Sequence, residues 1–101
     1  MDIRISHEHL DLTDAIKEYA QDKIGTLDHF MPNLLKVDVR LGTTTSHHRK
    51  GKIFECKVNL TYPGGMFRAE KVSDDLYKAI NEAVDVLVIE VEKYKEKHRN
   101  H

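Results

Sequence analysis

Polar and apolar residues alternate in four short segments of the chain, and such alternation is typical of strands that bury one face. Two of these segments are separated by Pro63-Gly64-Gly65, a combination that favours a tight turn. The sequence therefore predicts that the third and fourth strands form an antiparallel hairpin, preceded by a polar loop over residues 42–51. The predicted strands cover residues 2–6, 36–41, 52–62 and 66–72.

Two further segments repeat apolar residues every three or four positions, as the buried side of an amphipathic helix does. Thr13 is the predicted N-cap of the first helix, which should run to about His29 and include Gly25, where close packing on the sheet is expected. Ser73 and Asp74 are predicted to cap the last helix. The buried stripes are Ile16, Tyr19, Ala20, Ile24 and Leu27 in the first helix, and Leu76, Ala79, Ile80, Ala83, Leu87, Val91 and Tyr94 in the last.

These elements follow one another in the order β-α-β-β-β-α. Two helices with one apolar side each can both be buried on one face of a four-stranded sheet, and the opposite face then meets water. We therefore predict the α+β class, as a two-layer sandwich that forms one domain over residues 1–101, with fraying from Lys95 and a disordered tail over 96–101. The side chains expected on the solvent face of the sheet are Arg4, Lys36, Asp38, Arg40, Lys57 and Asn59.

The charge balance limits what the surface can bind. The chain has 16 basic and 17 acidic residues and a formal net charge of -1, whereas a general nucleic-acid-binding domain is clearly basic because it contacts phosphates. A net charge near zero still allows one face of the protein to be basic if another face is acidic. The single cysteine, the polar N-terminus and the lack of an apolar run of about 20 residues predict a cytoplasmic protein without a signal peptide or a membrane span.

No set of residues in the sequence suggests catalysis. The seven histidines show no spacing typical of metal ligands, so neither a metal nor another cofactor is predicted. Cys56 lies on the apolar face of a predicted strand, where a small buried side chain is expected rather than a reactive thiol. Gly64-Gly65 lacks the residues that complete a phosphate-binding loop. The prediction is therefore a protein that is not an enzyme and has no small-molecule substrate.

Several cationic side chains fall outside the buried stripes, and they leave two interpretations open. A basic stripe across two neighbouring helices would bind an RNA backbone through salt-sensitive contacts. Ordinary solvated helix surface would carry the same lysines, because acidic residues are interspersed among them. The candidate RNA-binding residues are Lys17 and Lys23 in the first helix, Arg68 and Lys71 in the second hairpin strand, and Lys78, Lys93 and Lys97 in the last helix.

The order of elements and four local strings resemble the short form of the ribosome hibernation-promoting factor and ribosome-associated translation inhibitor family. The strings are MDIRIS, LDLTDAIKEYAQDKIGTLDHF, VDVRL and SDDLYKAINEAVDVL. The resemblance implies a fold similar to double-stranded-RNA-binding domains. It also implies a factor that docks on the small ribosomal subunit, against 16S rRNA and within the 70S ribosome, and that blocks the mRNA and tRNA sites under stress or in stationary phase.

The resemblance also suggests which residues contact RNA and where this chain differs. The chain departs from the family at Val86 and Ile89, where relatives are usually basic, and at Thr26. Together with Val88, the first two would form a small exposed apolar patch. A function of a different class therefore stays open, a protein-interaction module or a weak homodimer that uses this patch. The positions that match basic positions of the family are Lys17, Lys23, Lys71, Lys93 and Lys97.

Overall fold

The computed structural model describes residues 1–44 and 53–98, and it confirms the predicted α+β class. Four strands form one sheet, and the helices pack on one of its faces. The element order is the predicted one except for one additional short helix. The elements are β1 (Asp2–Glu8), α1 (Asp14–Gly25), α2 (Leu27–Phe30), β2 (Lys36–Thr44), β3 (Ile53–Tyr62), β4 (Gly65–Ser73) and α3 (Leu76–Lys97).

The strands lie in the order β1-β2-β3-β4, with β1 and β2 parallel and the other neighbours antiparallel. Val39 in β2 lies opposite Ile5 in β1 and Val58 in β3, so a row of apolar side chains crosses the sheet beneath the helices. β3 and β4 form the predicted hairpin, which turns at Gly64 with a φ of 98°. Glycine suits this position because a Cβ would be strained there.

An aliphatic core fills the space between the sheet and the helices. α3 supplies much of its helical side, since seven of its residues are buried along one stripe. The two central strands, β2 and β3, supply the opposite side, and in each of them buried residues alternate with more exposed ones. The buried residues are Leu76, Ala79, Ile80, Ala83, Val84, Leu87 and Val91 in α3, Val37, Val39 and Leu41 in β2, and Cys56, Val58 and Leu60 in β3.

The first predicted helix is divided into α1 and α2 at Thr26. The Thr26 hydroxyl and backbone N–H both donate to the carbonyl oxygen of Lys23, at 2.6 and 3.2 Å, and these bonds end α1. Leu27 is then buried as the first residue of α2. Gly25 weakens the helix at this point. A Cβ added to Gly25 would meet nothing within 4 Å, so the predicted close packing at this glycine is wrong.

The N-cap of α3 is Asp75, and the prediction of Ser73 and Asp74 is wrong by one or two positions. The Asp75 carboxylate accepts a hydrogen bond from the backbone N–H of Tyr77 at 2.9 Å, which satisfies a donor that has no partner within the helix. The Ser73 hydroxyl instead accepts from the backbone N–H of Asp75 at 3.2 Å. Ser73 therefore orders the approach to the cap.

Several predicted boundaries move outward in the structure, including both ends of β4 by one residue each. β1 extends to Glu8, and β2 extends to Thr44, into the segment predicted as a loop. The rest of that predicted loop, residues 45–51, lies outside the described residues, as does Lys52 at the start of the third predicted strand. α3 continues to Lys97, so the fraying predicted before that residue is wrong, and residues 99–101 are not described.

Candidate nucleic-acid interface

The predicted RNA-binding lysines lie on different sides of α3. Lys23 lines a groove between α1, α2 and α3, which we call the helix groove. Lys93 and Lys97 line a second groove, between α3 and the β3–β4 turn, which we call the hairpin groove. The lining of the helix groove includes Lys23, Thr26, Phe30, Asn81, Val88 and Ile89, and that of the hairpin groove includes Tyr62, Phe67, Glu90, Lys93, Tyr94 and Lys97.

Contacts between α1 and α3 hold the helix groove in shape. The Tyr19 hydroxyl donates to Oδ1 of Asn81 at 2.6 Å, and the Tyr19 ring meets the ring of Tyr77 edge-on with 4.8 Å between centroids. Nζ of Lys23 lies 5.9 Å from the centroid of the Tyr19 ring, within the range of a cation–π contact. Lys23 is therefore held beside an aromatic pair that joins the two helices.

The hairpin groove brings aromatic rings beside two lysines. The rings of Tyr62 and Phe67 stack with 4.7 Å between centroids, and the ring of Tyr94 lies 4.9 Å from that of Tyr62. Lys93 and Lys97 are exposed and share one side of α3, because residues four apart on a helix are neighbours. The sequence interpretation missed this cluster. The predicted turn could have indicated the contact between Tyr62 and Phe67. In a hairpin that pairs Tyr62 with Gly65, Phe67 lies two residues beyond that partner and is the diagonal neighbour of Tyr62.

Arg68 and Lys71 lie on opposite faces of the sheet. Arg68 is on the face away from the helices, where its Nε donates to Oδ1 of Asn59 at 3.0 Å. Lys71 lies opposite the buried Cys56, so it is on the helix side of the edge strand β4, where it is half-exposed. Arg68 is therefore too far around the molecule to join a stripe with the helical lysines, and its contact with RNA stays a prediction.

The solvent face of the sheet carries charges of both signs. The six side chains predicted for this face are all at least partly exposed. Exposed ion pairs of this kind contribute little to stability. The pairs are Arg4 with Asp2 at 3.5 Å, Lys36 with Asp38 at 4.0 Å and Lys57 with Glu55 at 3.5 Å.

Lys17 and Lys78 are exposed but belong to neither groove as the described residues define them. Lys17 is six residues from Lys23, which puts their side chains about 120° apart around α1, so the two do not share a face. Lys78 lies in the first turn of α3, on the outer side of the helix. Farther along, this side carries exposed carboxylates, which we call the acidic ridge. The ridge consists of Glu82, Asp85, Glu92 and Glu96.

Within the described residues, six of the candidate lysines have an ammonium group that forms no ion pair. Within residues 1–44 and 53–98, none of them has a carboxylate within 4.0 Å, whereas Lys95 pairs with Glu92 at 3.8 Å. An unpaired ammonium group can bind a phosphate without first losing a protein partner. The predicted single stripe is thus divided, with Lys71, Lys93 and Lys97 on the β4 side of α3 and Lys23 on the α1 side. The six residues are Lys17, Lys23, Lys71, Lys78, Lys93 and Lys97.

The apolar patch predicted from Val86, Val88 and Ile89 is divided in the same way. Val86 and Val88 are half-buried and pack against the core. Being two residues apart, they point about 200° apart around α3. Of the three side chains, only Ile89 is exposed, at 54%, and it lines the helix groove beside Val88. The expectation of one exposed patch is therefore wrong.

Cys56 is fully buried in β3, as predicted, and burial raises the pKa of its thiol to about 12. We expect the thiol to react very slowly with a disulfide reagent at pH 8 in the folded protein, and rapidly in concentrated guanidinium, because the thiolate is the reactive form. Fast reaction in native buffer would contradict this burial.

Burial of the Cys56 thiol should also make stability depend on pH. The unfolded chain loses the thiol proton near pH 9, well before the folded chain does. The free energy of unfolding should therefore fall above pH 9, by at most about 1.4 kcal/mol per pH unit, and Cys56→Ala should remove that slope.

The described residues contain no group of three His, Cys, Asp or Glu side chains positioned to hold a metal ion. His47, His48 and His101 lie outside them. In the same part of the chain, no helix is long and apolar enough to cross a membrane. The absence of a metal and of enzymatic activity stays a prediction from the sequence.

Known proteins similar to this chain point to one family. Residues 3–99 match the family described as Sigma 54 modulation protein / S30EA ribosomal protein. The ribosome hibernation promoting factor of Acidithiobacillus ferridurans is 37% identical over 81 residues, which cover 80% of this chain and all of that protein. The ribosome hibernation promotion factor of Deinococcus radiodurans is 28% identical over 97 residues, or 94% of this chain, and the chain spans about half (49%) of that relative.

Solved structures agree with this assignment. The N-terminal domain of Thermus thermophilus Protein Y superposes with a TM-score of 0.80 at 30% identity, over 93% of this chain and 99% of that domain. A ribosomal subunit interface protein from Coxiella burnetii superposes with a TM-score of 0.83 at 20% identity, over 95% of this chain and 99% of the other, and supports the fold alone. Since the family match covers nearly all its residues, the chain belongs to the Sigma 54 modulation protein / S30EA ribosomal protein family.

Proposed function

We propose that this chain is a cytoplasmic ribosome hibernation factor that docks on the small ribosomal subunit and blocks the mRNA and tRNA sites under stress or in stationary phase. The names of its relatives support the general role. The structural observation that carries the proposal is the β4 side of α3, where Lys71, Lys93 and Lys97 present unpaired ammonium groups. These lysines would contact phosphates of 16S rRNA.

The proposed action needs contacts and volume but no catalytic group. Lysine binds phosphate as a point charge, so such contacts fix the position of the protein without reading the RNA sequence. The folded body measures 51 × 26 × 18 Å. A rigid body of this size excludes an RNA strand from the space that it occupies, so a docked factor would prevent mRNA and tRNA from binding there.

We expect the protein to cosediment with 30S or 70S particles at low salt and to dissociate as salt rises. Three of the lysines line the grooves and Lys71 lies on the helix side of β4, so they predict about four phosphate contacts, and hence a loss of affinity of about 10²-fold between roughly 50 and 200 mM salt. A protein with six to ten such contacts would lose roughly 10³- to 10⁵-fold. Sedimentation through sucrose over a salt series measures this slope. Failure to cosediment even at the lowest salt would exclude the proposal. The four residues are Lys23, Lys71, Lys93 and Lys97.

The alternative of a protein-interaction module or weak homodimer stays a prediction. It keeps one supporting feature, the exposed side chain of Ile89 in the helix groove. The clustered apolar patch on which it was based is not formed, because Val86 and Val88 pack against the core. Ribosome binding is therefore the function that the site supports best.

A further inference from the structure

The hairpin groove contains aromatic side chains that phosphate contacts alone would not need. Its volume is about 490 Å³. Tyr62 comes from the end of β3, Phe67 from β4 and Tyr94 from the last turns of α3, and their ring centroids lie 4.7, 4.9 and 5.8 Å apart. All three rings are half-buried, so each packs partly on the core and partly lines the groove.

His98 extends this row of rings toward solvent. Its imidazole stacks on the ring of Tyr94, with 4.1 Å between centroids and 28° between planes. Nδ1 of His98 also lies 2.8 Å from the backbone oxygen of Tyr94, which holds the imidazole against the helix. Because His98 is exposed and Tyr94 is half-buried, the rings form a continuous series from the core to the rim of the groove.

Lys93 and Lys97 place two ammonium groups on the same groove. They lie about 6 Å apart along the axis of α3, and neither has a carboxylate within 4.0 Å in the described part of the chain. Glu90 also lines the groove but is half-buried. With two lysines and one glutamate, the lining of the groove carries a net positive charge.

The turn between β3 and β4 makes room for the side chain of Tyr62. A Cβ on Gly65 would overlap the hydroxyl of Tyr62, and Gly64 has a φ of 98°. Both positions therefore favour glycine, for space at one and for backbone conformation at the other. Glycine at position 65 therefore allows the Tyr62 ring to lie against the turn at this end of the groove.

We infer that the hairpin groove binds an unpaired base of a single-stranded RNA segment, which stacks on the aromatic rings while Lys93 and Lys97 contact its phosphates. Aromatic rings combined with cationic side chains are the means by which proteins bind single-stranded nucleic acid. A duplex would offer phosphates but not the faces of its bases, which are stacked inside it. A protein partner fits less well, since none of the large apolar side chains that are exposed in the described residues lines this groove.

This inference rests on the proposed function for the identity of the RNA, and it adds base stacking to the phosphate contacts. A fluorescently labelled single-stranded RNA of about eight nucleotides, a length within the usual site size, tests it by anisotropy. Tyr94→Leu should weaken binding by about 5- to 150-fold, the range for one stacked base, and should leave the salt slope unchanged because no charge is lost. Tyr94→Phe should bind like the wild type. Lys93→Gln should instead lower the salt slope by about 0.7.

Tyr77→Leu is the matched control, because Tyr77 is an aromatic residue of the same helix that packs on the α1 side. It should leave RNA binding unchanged. Thermal unfolding reports whether each variant folds. If Tyr94→Leu does not fold, the NMR signals of the Tyr94 ring protons in the wild type replace it, since a stacked base should shift them upfield. Unchanged affinity in folded Tyr94→Leu, or ring signals that do not move, would overturn the inference.

Cosedimentation with ribosomes separates this failure from failure of the proposed function. Wild-type protein that binds ribosomes but shows no effect of Tyr94 on oligonucleotide binding overturns the stacking inference alone. Wild-type protein that binds neither ribosomes nor the oligonucleotide overturns both. Loss of oligonucleotide binding in Tyr94→Leu, with full binding in Tyr94→Phe and Tyr77→Leu, supports the inference.

Discussion

Replacing Lys93 and Lys97 together by glutamine should weaken ribosome binding by about 25-fold near 0.1 M salt. Both ammonium groups line the hairpin groove, and within the described residues neither pairs with a carboxylate. Each phosphate contact to a single strand contributes about 0.7 to the slope of log affinity against log salt, so loss of one contact costs about fivefold near 0.1 M. The double change should therefore also reduce the slope, by about 1.4, and a cosedimentation series at several salt concentrations measures both quantities.

Lys95→Gln is the matched control for this experiment. It removes the same charge from the same turns of α3, but Lys95 already pairs with Glu92 at 3.8 Å and does not line the hairpin groove. Its substitution should leave the affinity and the salt slope almost unchanged. Equal losses per lysine in Lys95→Gln and in the double variant would mean that only total charge matters. That result would contradict a role for the groove.

Leu87→Ala should lower the free energy of unfolding by about 3 kcal/mol. Leu87 is fully buried in the middle of α3, where it belongs to the core between the helices and the sheet. Truncating a buried leucine removes apolar contacts and leaves a cavity that the surroundings fill only in part, at a cost of roughly 2–5 kcal/mol. This is a large part of the total of about 5–15 kcal/mol that is typical of a small domain. Urea denaturation followed by circular dichroism measures the change.

Ile89→Ala tests whether burial causes this loss. It removes a large apolar side chain two residues farther along the same helix, where the side chain is 54% exposed. Alanine also has the higher helix propensity, which offsets part of the lost contact. The free energy of unfolding should therefore change by less than about 0.5 kcal/mol. A loss in Leu87→Ala no greater than that in Ile89→Ala would contradict the central position of Leu87 in the core.

The strands and the hairpin could be predicted from the sequence because each strand buries one face. Residues such as Val37 and Val39 alternate with charged neighbours, and the register confirms that they share the helix side of the sheet. The break at Thr26 could not be predicted in this way. Ile24 and Leu27 are both buried, so the apolar stripe continues across the break and does not distinguish one helix from two.

The candidate site was only partly predictable. Arg68 and Lys71 are three positions apart in one strand, so the alternation of side chains already places them on opposite faces, and the sequence interpretation did not apply that rule. The aromatic cluster is a different case. It forms because α3 returns along the sheet far enough for Tyr94 to reach Tyr62, and this tertiary contact has no counterpart in the local pattern.

The position of α3 between the two grooves determines how an RNA could meet both. The helix forms one wall of each groove, and the acidic ridge lies on its outer side, with Asp85 at the edge that also lines the helix groove. A helix with its side chains is about 10–12 Å wide, and a strand that reached both Lys23 and Lys93 would have to cross carboxylates that repel its phosphates. If the chain binds ribosomal RNA as proposed, it would therefore insert as a wedge between two separate RNA segments. Its affinity should then depend on the width of the cleft that receives it.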